Sequence, residues 1–171
     1  MSESTARHVL LSGGRGVGKS AIIREVLRQT GLAADGYATF WQADADGPGL
    51  WLSSYGDPAV RHLVARRQAD GRPRCDPHAF DAFGATILDG SGRLDVIVMD
   101  ELGVLESSAT AFQAAVLRRL AGTCPVLGVV KARPTPFLDA VRACPGVRVV
   151  EVTAGNRAGV VDRLVSSWPA T

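Results

Sequence analysis

Short apolar runs alternate along the chain with segments in which apolar residues recur every three or four positions. The runs have the length of buried β-strands, and the periodic segments are typical of amphipathic helices. The apolar runs cover residues 7–12, 94–99, 125–130 and 147–152. The periodic segments cover residues 21–29, 77–88, 107–120, 136–143 and 156–168. Strands that are apolar throughout and separated by helices predict a mostly parallel sheet covered on both faces, which is a three-layer α/β fold.

Two of the predicted helices carry start signals. Asp76 is a favoured N-cap residue, and it precedes Pro77, which suits the first turn of a helix. Ser107 or Ser108 stands in the corresponding position before the helix that ends near residue 120.

The pattern changes between residues 35 and 76. Two aromatic, strand-like stretches at 36–41 and 49–55 flank a turn composition at 44–48, which predicts a β-hairpin. Residues 57–76 hold five arginines and several breakers, so we expect them to be irregular. We therefore predict one domain over residues 1–171, with the hairpin and the arginine-rich stretch as an insertion at about 35–76.

Composition limits the class of protein. The 171 residues are 46% hydrophobic and 21% charged, which fits a globular domain with a buried core. No apolar run approaches the roughly 18 residues of a transmembrane helix, and residues 1–5 do not resemble a secretory signal. The three cysteines have no metal-type spacing, which favours reduced thiols and a cytoplasmic protein without a membrane partner. A net charge of +2 gives no support for nucleic acid as a partner.

A complete P-loop, Gly13-x4-Gly18-Lys19-Ser20, lies between the first predicted strand and the first predicted helix. Its glycines let backbone N–H groups turn inward toward phosphate, and the start of the helix adds partial positive charge. The lysine reaches the β- and γ-phosphates, and the serine hydroxyl is a ligand for Mg²⁺. The predicted nucleotide-binding residues are Gly13, Gly14, Arg15, Gly16, Val17, Gly18, Lys19, Ser20 and Ala21.

Two acids follow the second apolar strand. Asp100 fits the Walker B carboxylate, which an apolar strand delivers to the sheet edge to hold Mg²⁺ together with Ser20. Glu101 is in place to polarise the water that attacks the γ-phosphate. We therefore predict Lys19 and Glu101 as catalytic residues, Ser20 and Asp100 as metal ligands, and a nucleoside triphosphate with Mg²⁺ as the bound group.

The segment Asp100-Glu101-Leu102-Gly103-Val104-Leu105-Glu106 resembles the D-E-[IL]-G-x-[ML]-E segment of the cancer-related nucleoside-triphosphatase family, which also occurs in thermophilic prokaryotes. The P-loop GGRGVGKS and the GYAT stretch at 36–39 are similar to further motifs of that family, in the same order. Phe112, the strand at 125–130 and Asn156-Arg157 also match. A G-K-Y segment of the family is missing from residues 60–80, which leaves substrate contacts from that region unassigned.

The resemblance implies a P-loop core of RecA-like or kinase-like type. It also implies Mg²⁺-dependent hydrolysis of nucleoside triphosphates, ATP and GTP among them, to diphosphate and phosphate.

Lysine is rare in this chain, since only Lys19 and Lys131 occur among the 19 basic residues. An acid directly after the Walker B aspartate suggests that a further strand lies between the P-loop strand and the Asp100 strand, and the strand ending at Lys131 is the candidate. Its tip would then lie beside the γ-phosphate, where Lys131 or Arg133 senses or neutralises charge. A solvated base at a strand end is the equally weighted alternative.

Three further residues have two interpretations each. Asn156 and Arg157 follow the last strand, where P-loop folds often bind the base or ribose, but Asn156 is also a favoured helix cap. Glu106 belongs to the family-like segment and is a candidate for the site, and a surface cap beside Ser107 is about equally weighted.

The arginines of the insertion are compatible with an anionic partner such as a second nucleotide or RNA. Interspersed acids and the lack of an RNA-binding motif favour a solvated face instead. These residues are Arg61, Arg66, Arg67, Arg72 and Arg74. The aromatic residues Tyr37, Phe40, Trp41 and Trp51 are expected in the core more than against a base.

Three functions fit these observations. The first is a Mg²⁺-dependent nucleoside-triphosphatase. The second is a nucleotide or small-molecule kinase that uses residues 35–90 to hold an acceptor, and the third is a nucleotide-switched binding module. A GTPase that reads guanine is not expected, because no N-K-x-D or T-K-x-D segment is present.

Overall fold

A computed structural model describes residues 6–90 and 93–168. The predicted absence of a secretory signal concerns residues 1–5, which lie outside the described residues. The strands in chain order are β1 (His8–Ser12), β2 (Ala34–Asp44), β3 (Gly47–Ser54), β4 (Arg61–Arg67), β5 (Pro73–Cys75), β6 (Val96–Leu102), β7 (Val126–Val130) and β8 (Val147–Glu151).

The helices cover most of the periodic segments. They are α1 (Lys19–Thr30), α2 (Pro77–Ala79), α3 (Ala85–Asp89), α4 (Thr110–Leu120), α5 (Pro136–Ala143) and α6 (Arg157–Ser167). A π-helical turn at Phe80–Gly84 joins α2 to α3, and a 3₁₀ turn at Leu105–Ser108 precedes α4. In the described part of the chain, no helix is both long and apolar enough to cross a membrane.

All these strands form one sheet in the order β5-β4-β3-β2-β6-β7-β1-β8. Neighbours from β2 to β8 in this order pair in parallel, and β2 to β5 pair as an antiparallel meander. β7 lies between β1 and β6, as the acid after Asp100 suggests. The predicted three-layer α/β fold with a β-hairpin is therefore confirmed.

β2 belongs to both parts of the sheet. Its first half pairs in parallel with β6, from Ala34 opposite Val96 to Ala38 opposite Asp100. From Tyr37 onward it also pairs with β3, as the predicted hairpin requires. β2 therefore joins the parallel and antiparallel halves into one sheet. It is long enough to pair with both neighbours because it has 11 residues.

The sheet has an apolar core on each face, because successive side chains of a strand point to opposite sides. On one face Leu10, Tyr37 and Phe112 belong to a cluster that includes residues of α4 and α5. On the other face, Leu11 packs in a cluster with Ile22 of α1 and Val160 of α6. Each fully buried side chain of this kind contributes roughly 1.5–3 kcal/mol of transfer free energy. The two cores fix the edge of the sheet at which the P-loop and the acids end.

Three local predictions have different outcomes. The Asp76 cap is confirmed, since its carboxylate accepts hydrogen bonds from the backbone N–H groups of His78 and Ala79. The serine cap is wrong: α4 begins at Thr110 without a side-chain cap, because residues 105–108 form the 3₁₀ turn. The expected irregularity of residues 57–76 is also wrong, because the stretch contains β4 and β5, which continue the meander.

β8 departs from the expectation of a buried strand. It is an edge strand with β1 as its one neighbour, and Val149 is 40% exposed. An apolar composition predicts the strand correctly, but it does not distinguish an edge strand from a central one.

Candidate active site

The P-loop fills the space between β1 and α1. Gly13 has a φ of 141°, and a Cβ built there would lie 2.2 Å from the carbonyl oxygen of Val152, so no side chain fits. Gly18 ends the loop with a φ of 95° and no side-chain cap covers the first turn of α1. The free N–H groups of that turn therefore face the loop, which is the arrangement that binds phosphate.

Lys19 lies across the loop that precedes it. Its Nζ donates hydrogen bonds to the carbonyl oxygens of Gly13, at 2.8 Å, and Gly14, at 2.7 Å. Arg15 and Arg24 line the same cleft and add positive charge on this side. The P-loop side of the cleft thus offers cations and backbone donors, which suit a polyphosphate.

Asp100 lies at the carboxyl end of β6, next to the loop. Burial raises the pKa of its carboxyl group, while a hydrogen bond with Ser20 and the charges of Arg24 and Lys19 lower it. The Thr39 hydroxyl donates to the backbone oxygen of Asp100 at 3.3 Å, so β2 helps to fix this end of the strand. The neighbourhood of a serine hydroxyl and a carboxylate supplies the hard oxygen ligands that Mg²⁺ prefers.

A metal held by the protein alone is not supported in the described residues. There, no group of three or more His, Cys, Asp and Glu side chains is arranged to hold a metal ion. Mg²⁺ is commonly bound through one or two protein ligands together with substrate phosphates, and Ser20 with Asp100 matches that pattern.

Glu101 and Lys131 form an ion pair across two neighbouring strands. Lys131 Nζ lies 3.0 Å from Glu101 Oε1. The backbone N–H of Lys131 donates to the carbonyl oxygen of Leu102, which holds the end of β7 against the end of β6. The peptide bond between Asp100 and Glu101 is cis. Lys131 is therefore beside the predicted catalytic acid, while Arg133 is exposed two residues further on.

Glu106 is buried below this pair, with 3% of its surface exposed. Its Oε1 accepts a hydrogen bond from the backbone N–H of Gly103 at 3.1 Å, while Oε2 has no hydrogen-bond partner among the described residues. Burial raises the pKa of the carboxyl group to about 7, against the lowering effects of backbone hydrogen bonds and of Lys131. The surface-cap interpretation of Glu106 is wrong, and the side chain lines the cleft.

The loop after β8 approaches the P-loop from the other side. Asn156 ties this loop together, since Oδ1 accepts from the N–H of Thr153 and Nδ2 donates to the carbonyl oxygen of Glu151, both at 2.9 Å. Its side chain does not cap α6. The side chain of Arg157 packs against Gly18, where a built Cβ would lie 2.9 Å from its Nη1. Asn156 therefore supports the loop that brings Arg157 to the P-loop.

Most of these groups line one cleft of about 650 Å³. Asp100, Asn156 and Arg157 are not among its lining residues, and Arg157 instead lines a separate groove beside α1. The cleft is lined by P-loop residues, by Glu101, Glu106 and Lys131, and by side chains of β2 to β5. The volume lies within the roughly 300–1,000 Å³ that small-molecule sites occupy.

Comparisons with known proteins give the family. A family model described as NTPase matches residues 8–165. The chain belongs to this NTPase family. The cancer-related nucleoside-triphosphatase homolog of Mus musculus is 28% identical, over 94% of this chain and 96% of that protein. The nucleoside-triphosphatase THEP1 of Methanopyrus kandleri is 29% identical, over 92% of this chain and 93% of its own length.

A solved structure confirms the fold. The crystal structure of THEP1 from the hyperthermophile Aquifex aeolicus superposes with a TM-score of 0.76 at 19% identity, and it covers 95% of this chain. The protein is thus a P-loop nucleoside-triphosphatase, and a nucleoside triphosphate is its substrate class.

The NTPase cleft includes residues that the sequence either did not indicate or, for Trp41 and Arg67, favoured for the core or for a solvated face. Thr39, Leu50 and Pro73 line it on the side away from the P-loop. So do Trp41, which is 39% exposed rather than buried, and Arg67. Tyr37 is fully buried, as expected for a core aromatic. The sequence signal for these residues is the alternation of side chains along β2 and β4. That signal is incomplete, because residues 39, 41 and 67 share one face only when the strands are paired in the observed order.

The other arginines of the insertion have separate environments. Arg66 pairs with Asp44 at 2.8 Å, and the Arg61 guanidinium lies 5.0 Å from the Trp51 ring centre. Arg72 and Arg74 are exposed, so a solvated face describes these two residues.

Proposed function

We propose that this nucleoside-triphosphatase hydrolyses ATP- and GTP-type nucleotides to diphosphate and phosphate in a Mg²⁺-dependent reaction at the cleft. The observation that carries the proposal is that Lys19, Ser20 and Glu101 line one cleft at the carboxyl edge of the parallel strands, with Asp100 hydrogen-bonded to Ser20. Ligands of open α/β sheets bind at this edge.

The P-loop binds the phosphates in this proposal. The N–H groups of the loop and of the first turn of α1 hold the β-phosphate, and Lys19 leaves its two carbonyl contacts to reach the β- and γ-phosphates. An ammonium suits this task because it acts as a compact point charge with three donors. The proposed contact set comprises Gly13, Gly14, Arg15, Gly16, Val17, Gly18, Lys19, Ser20 and Ala21.

Ser20 and Asp100 are the proposed Mg²⁺ ligands, with phosphate oxygens completing the set. When bound, Mg²⁺ neutralises charge on the β- and γ-phosphates and helps to align them. The raised pKa of Asp100 reflects a buried carboxyl that lacks full compensation for its charge, and this agrees with a cation as partner.

Glu101 is the proposed base that orients and deprotonates the attacking water. Lys131 pairs with Glu101 at 3.0 Å and keeps that carboxylate at the end of β6. Its ammonium also lies where negative charge collects on the γ-phosphate, so we assign Lys131 both a positioning and a charge-neutralising role.

Arg157 is the proposed contact at the other end of the nucleotide. Its guanidinium packs against Gly18, and the residue follows β8, which pairs with β1 on the side opposite β7 and β6. We assign Asn156 a supporting role, since both polar groups of its side chain are engaged within the loop.

The test is Glu101→Gln. Loss of the carboxylate removes the base but keeps the size and most of the polarity of the side chain, so kcat should fall roughly 10²- to 10⁴-fold. Nucleotide binding should change little, because the phosphate contacts remain. Steady-state phosphate release and equilibrium binding of ATP and GTP measure the two effects.

Glu151→Gln is the matched control, because that side chain is exposed at the end of β8. Turnover by Glu101→Gln at the rate of this control would remove Glu101 from the mechanism.

A further inference from the structure

The cleft continues well past Glu101, into the antiparallel half of the sheet. Its far compartment is lined by Thr39, Trp41, Leu50, Arg67 and Pro73. Because neighbouring strands lie about 4.8 Å apart, β4 with Arg67 is about 14 Å from β6 with Glu101. The compartment is therefore an extension of the cleft and not part of the phosphate cradle.

Strand pairing explains why these side chains lie together. Paired residues of antiparallel strands point to the same face, and Trp41 pairs with Leu50 while Arg67 pairs with Pro73. Trp41 follows Thr39 by two residues, so it lies about 7 Å further along the same face of β2. Thr39 itself touches the backbone of Asp100 and Glu101. The compartment thus begins directly beside the catalytic acids.

Trp41 and Arg67 have the features of a ligand site. Trp41 is one of three large apolar side chains that stand out as exposed in the described residues, and it alone of the three lines the cleft. The Arg67 guanidinium lies 4.7 Å from its ring centre and donates to the carbonyl oxygen of Gly71. Within the described residues Arg67 makes no ion pair, whereas the adjacent Arg66 is paired with Asp44.

We propose that Trp41, Arg67, Leu50 and Pro73 form a site for a nucleoside monophosphate beside the triphosphate site. The base packs on the exposed part of Trp41 and against Leu50 and Pro73, and the phosphate faces Arg67. Aromatic faces combined with positive charge are the general means by which proteins hold single nucleotide units. The whole cleft measures about 650 Å³, and the triphosphate occupies part of it, so the compartment suits a small ligand rather than a nucleic-acid strand.

The order of the two sites rests on the proposed function. There the γ-phosphate faces Glu101, so whatever lies beyond Glu101 lies beyond the γ-phosphate. The base of the triphosphate extends in the opposite direction, toward Arg157. The phosphates of the triphosphate therefore share the cleft with the monophosphate, while the base of the triphosphate lies outside it, beside Arg157.

The experiment measures binding to protein whose P-loop is saturated with a non-hydrolysable triphosphate and Mg²⁺. The variant Trp51→Phe/Trp168→Phe leaves Trp41 as the one tryptophan, and its fluorescence reports on the compartment directly. The probes are AMP and GMP, with adenosine and ribose 5-phosphate as ligands that lack the phosphate or the base. We expect saturable quenching by the monophosphates and much weaker binding of the two partial ligands.

Two substitutions then localise the site by calorimetry on the same loaded protein. Trp41→Ala should weaken monophosphate binding roughly 5- to 150-fold, as loss of a base–aromatic contact does. Arg67→Gln should weaken it about tenfold or more, through loss of a charged hydrogen bond. Arg74→Gln is the control, because that exposed arginine pairs with Arg66 on the other face and is absent from the cleft lining.

Four results would overturn the inference. The loaded protein binds no monophosphate, or Arg74→Gln weakens binding as much as Arg67→Gln. In the third, only a short single-stranded oligonucleotide binds. If Trp41→Ala instead weakens binding of the triphosphate itself, the compartment is the base site of the substrate and the inference is also wrong. Turnover of the triphosphate by Trp41→Ala is measured alongside. If turnover is intact, a failure of the monophosphate site leaves the proposed hydrolase function standing.

Discussion

The parallel and antiparallel halves of the sheet use the same strand geometry for different purposes. In the parallel half, β1, β7 and most of β6 are buried on both faces, and the charged side chains of Asp100, Glu101 and Lys131 emerge at the strand ends, where we propose that the reaction occurs. In the antiparallel half, side chains along the strands themselves line the cleft, among them Trp41 and Arg67. A strand buried on both faces offers only its end to a ligand. In the antiparallel half, Thr39 and Trp41 share the face of the buried Tyr37, so the cleft-lining residues lie where the core on that face ends.

This difference divides the chemistry between the halves. The strand ends and the P-loop are fixed by two cores, which suits a reaction that needs charged groups held within a fraction of an ångström. The meander presents an aromatic ring and a guanidinium to the cleft. We expect changes of the charged groups at the strand ends to alter turnover, and changes on the outer meander to leave turnover unchanged.

The largest expected effect is a pH-dependent stability contribution from Glu106. The folded protein holds this proton with a pKa of about 7 instead of the usual 4.5, so folding favours the protonated form. The contribution of Glu106 to the free energy of unfolding therefore falls as pH rises from about 4.5 through about 7, and this contribution is constant above that range. Glu106→Gln lacks this titration, so it should gain about 3 kcal/mol relative to the unaltered protein between pH 4.5 and pH 8.

Denaturant unfolding of both proteins across this pH range measures the gain, and the other titrating groups cancel in the difference. A difference that does not change with pH would show that the folded state leaves the Glu106 pKa unshifted, in conflict with a carboxyl that is 3% exposed.

The next effect concerns Lys131. Lys131→Met keeps the length of the stem but removes the charge beside Glu101, so kcat should fall roughly 10- to 100-fold, as for loss of a charged hydrogen bond. Thermal unfolding should stay nearly unchanged because the side chain is largely exposed. Arg133→Met is the control, as an exposed base two residues away. Equal rates in both variants would reduce Lys131 to a solvated base.

The smallest effect is expected on the outer meander. Arg66→Gln removes the ion pair with Asp44, which joins the hairpin turn to β4 and lies away from the acids. Exposed pairs of this kind contribute little to stability, so turnover should be unchanged and the melting temperature only slightly lower. Phosphate-release assays and calorimetry check both values. A large loss of turnover would show that the meander and the strand ends are coupled, and the comparison between the halves would fail.

The sequence was most informative where local chemistry decides the structure. The P-loop needs glycine at Gly13 and a lysine at the helix start, and the alternation of apolar runs with helices needs only short-range pattern. The placement of β7 between β1 and β6 is predicted by one residue, the acid Glu101 directly after Asp100. Lys131 was singled out by its rarity and by its place at a strand end, and it lies beside Glu101.

The sequence was least informative where distant pairing decides. Residues 57–76 contain breakers, yet Arg61–Arg67 form a strand because β3 provides a partner for it. Trp41 and Arg67 are 26 residues apart, and they come together because β2 pairs with β3 and β3 pairs with β4. No local sequence pattern predicts this contact. Glu106 is buried because it lies in the 3₁₀ turn that follows β6. From the sequence alone, a surface cap of the next helix is an equally good interpretation of this residue.

The most direct test of the proposed reaction is a turnover assay with purified protein across nucleoside triphosphates, with Mg²⁺ and with a chelator in its place. Phosphate and the matching diphosphate should appear in equal amounts without any added acceptor, and chelation should abolish both. Turnover that begins only when an acceptor is supplied, or that continues unchanged without Mg²⁺, would contradict hydrolysis by the arrangement of Lys19, Ser20, Asp100 and Glu101.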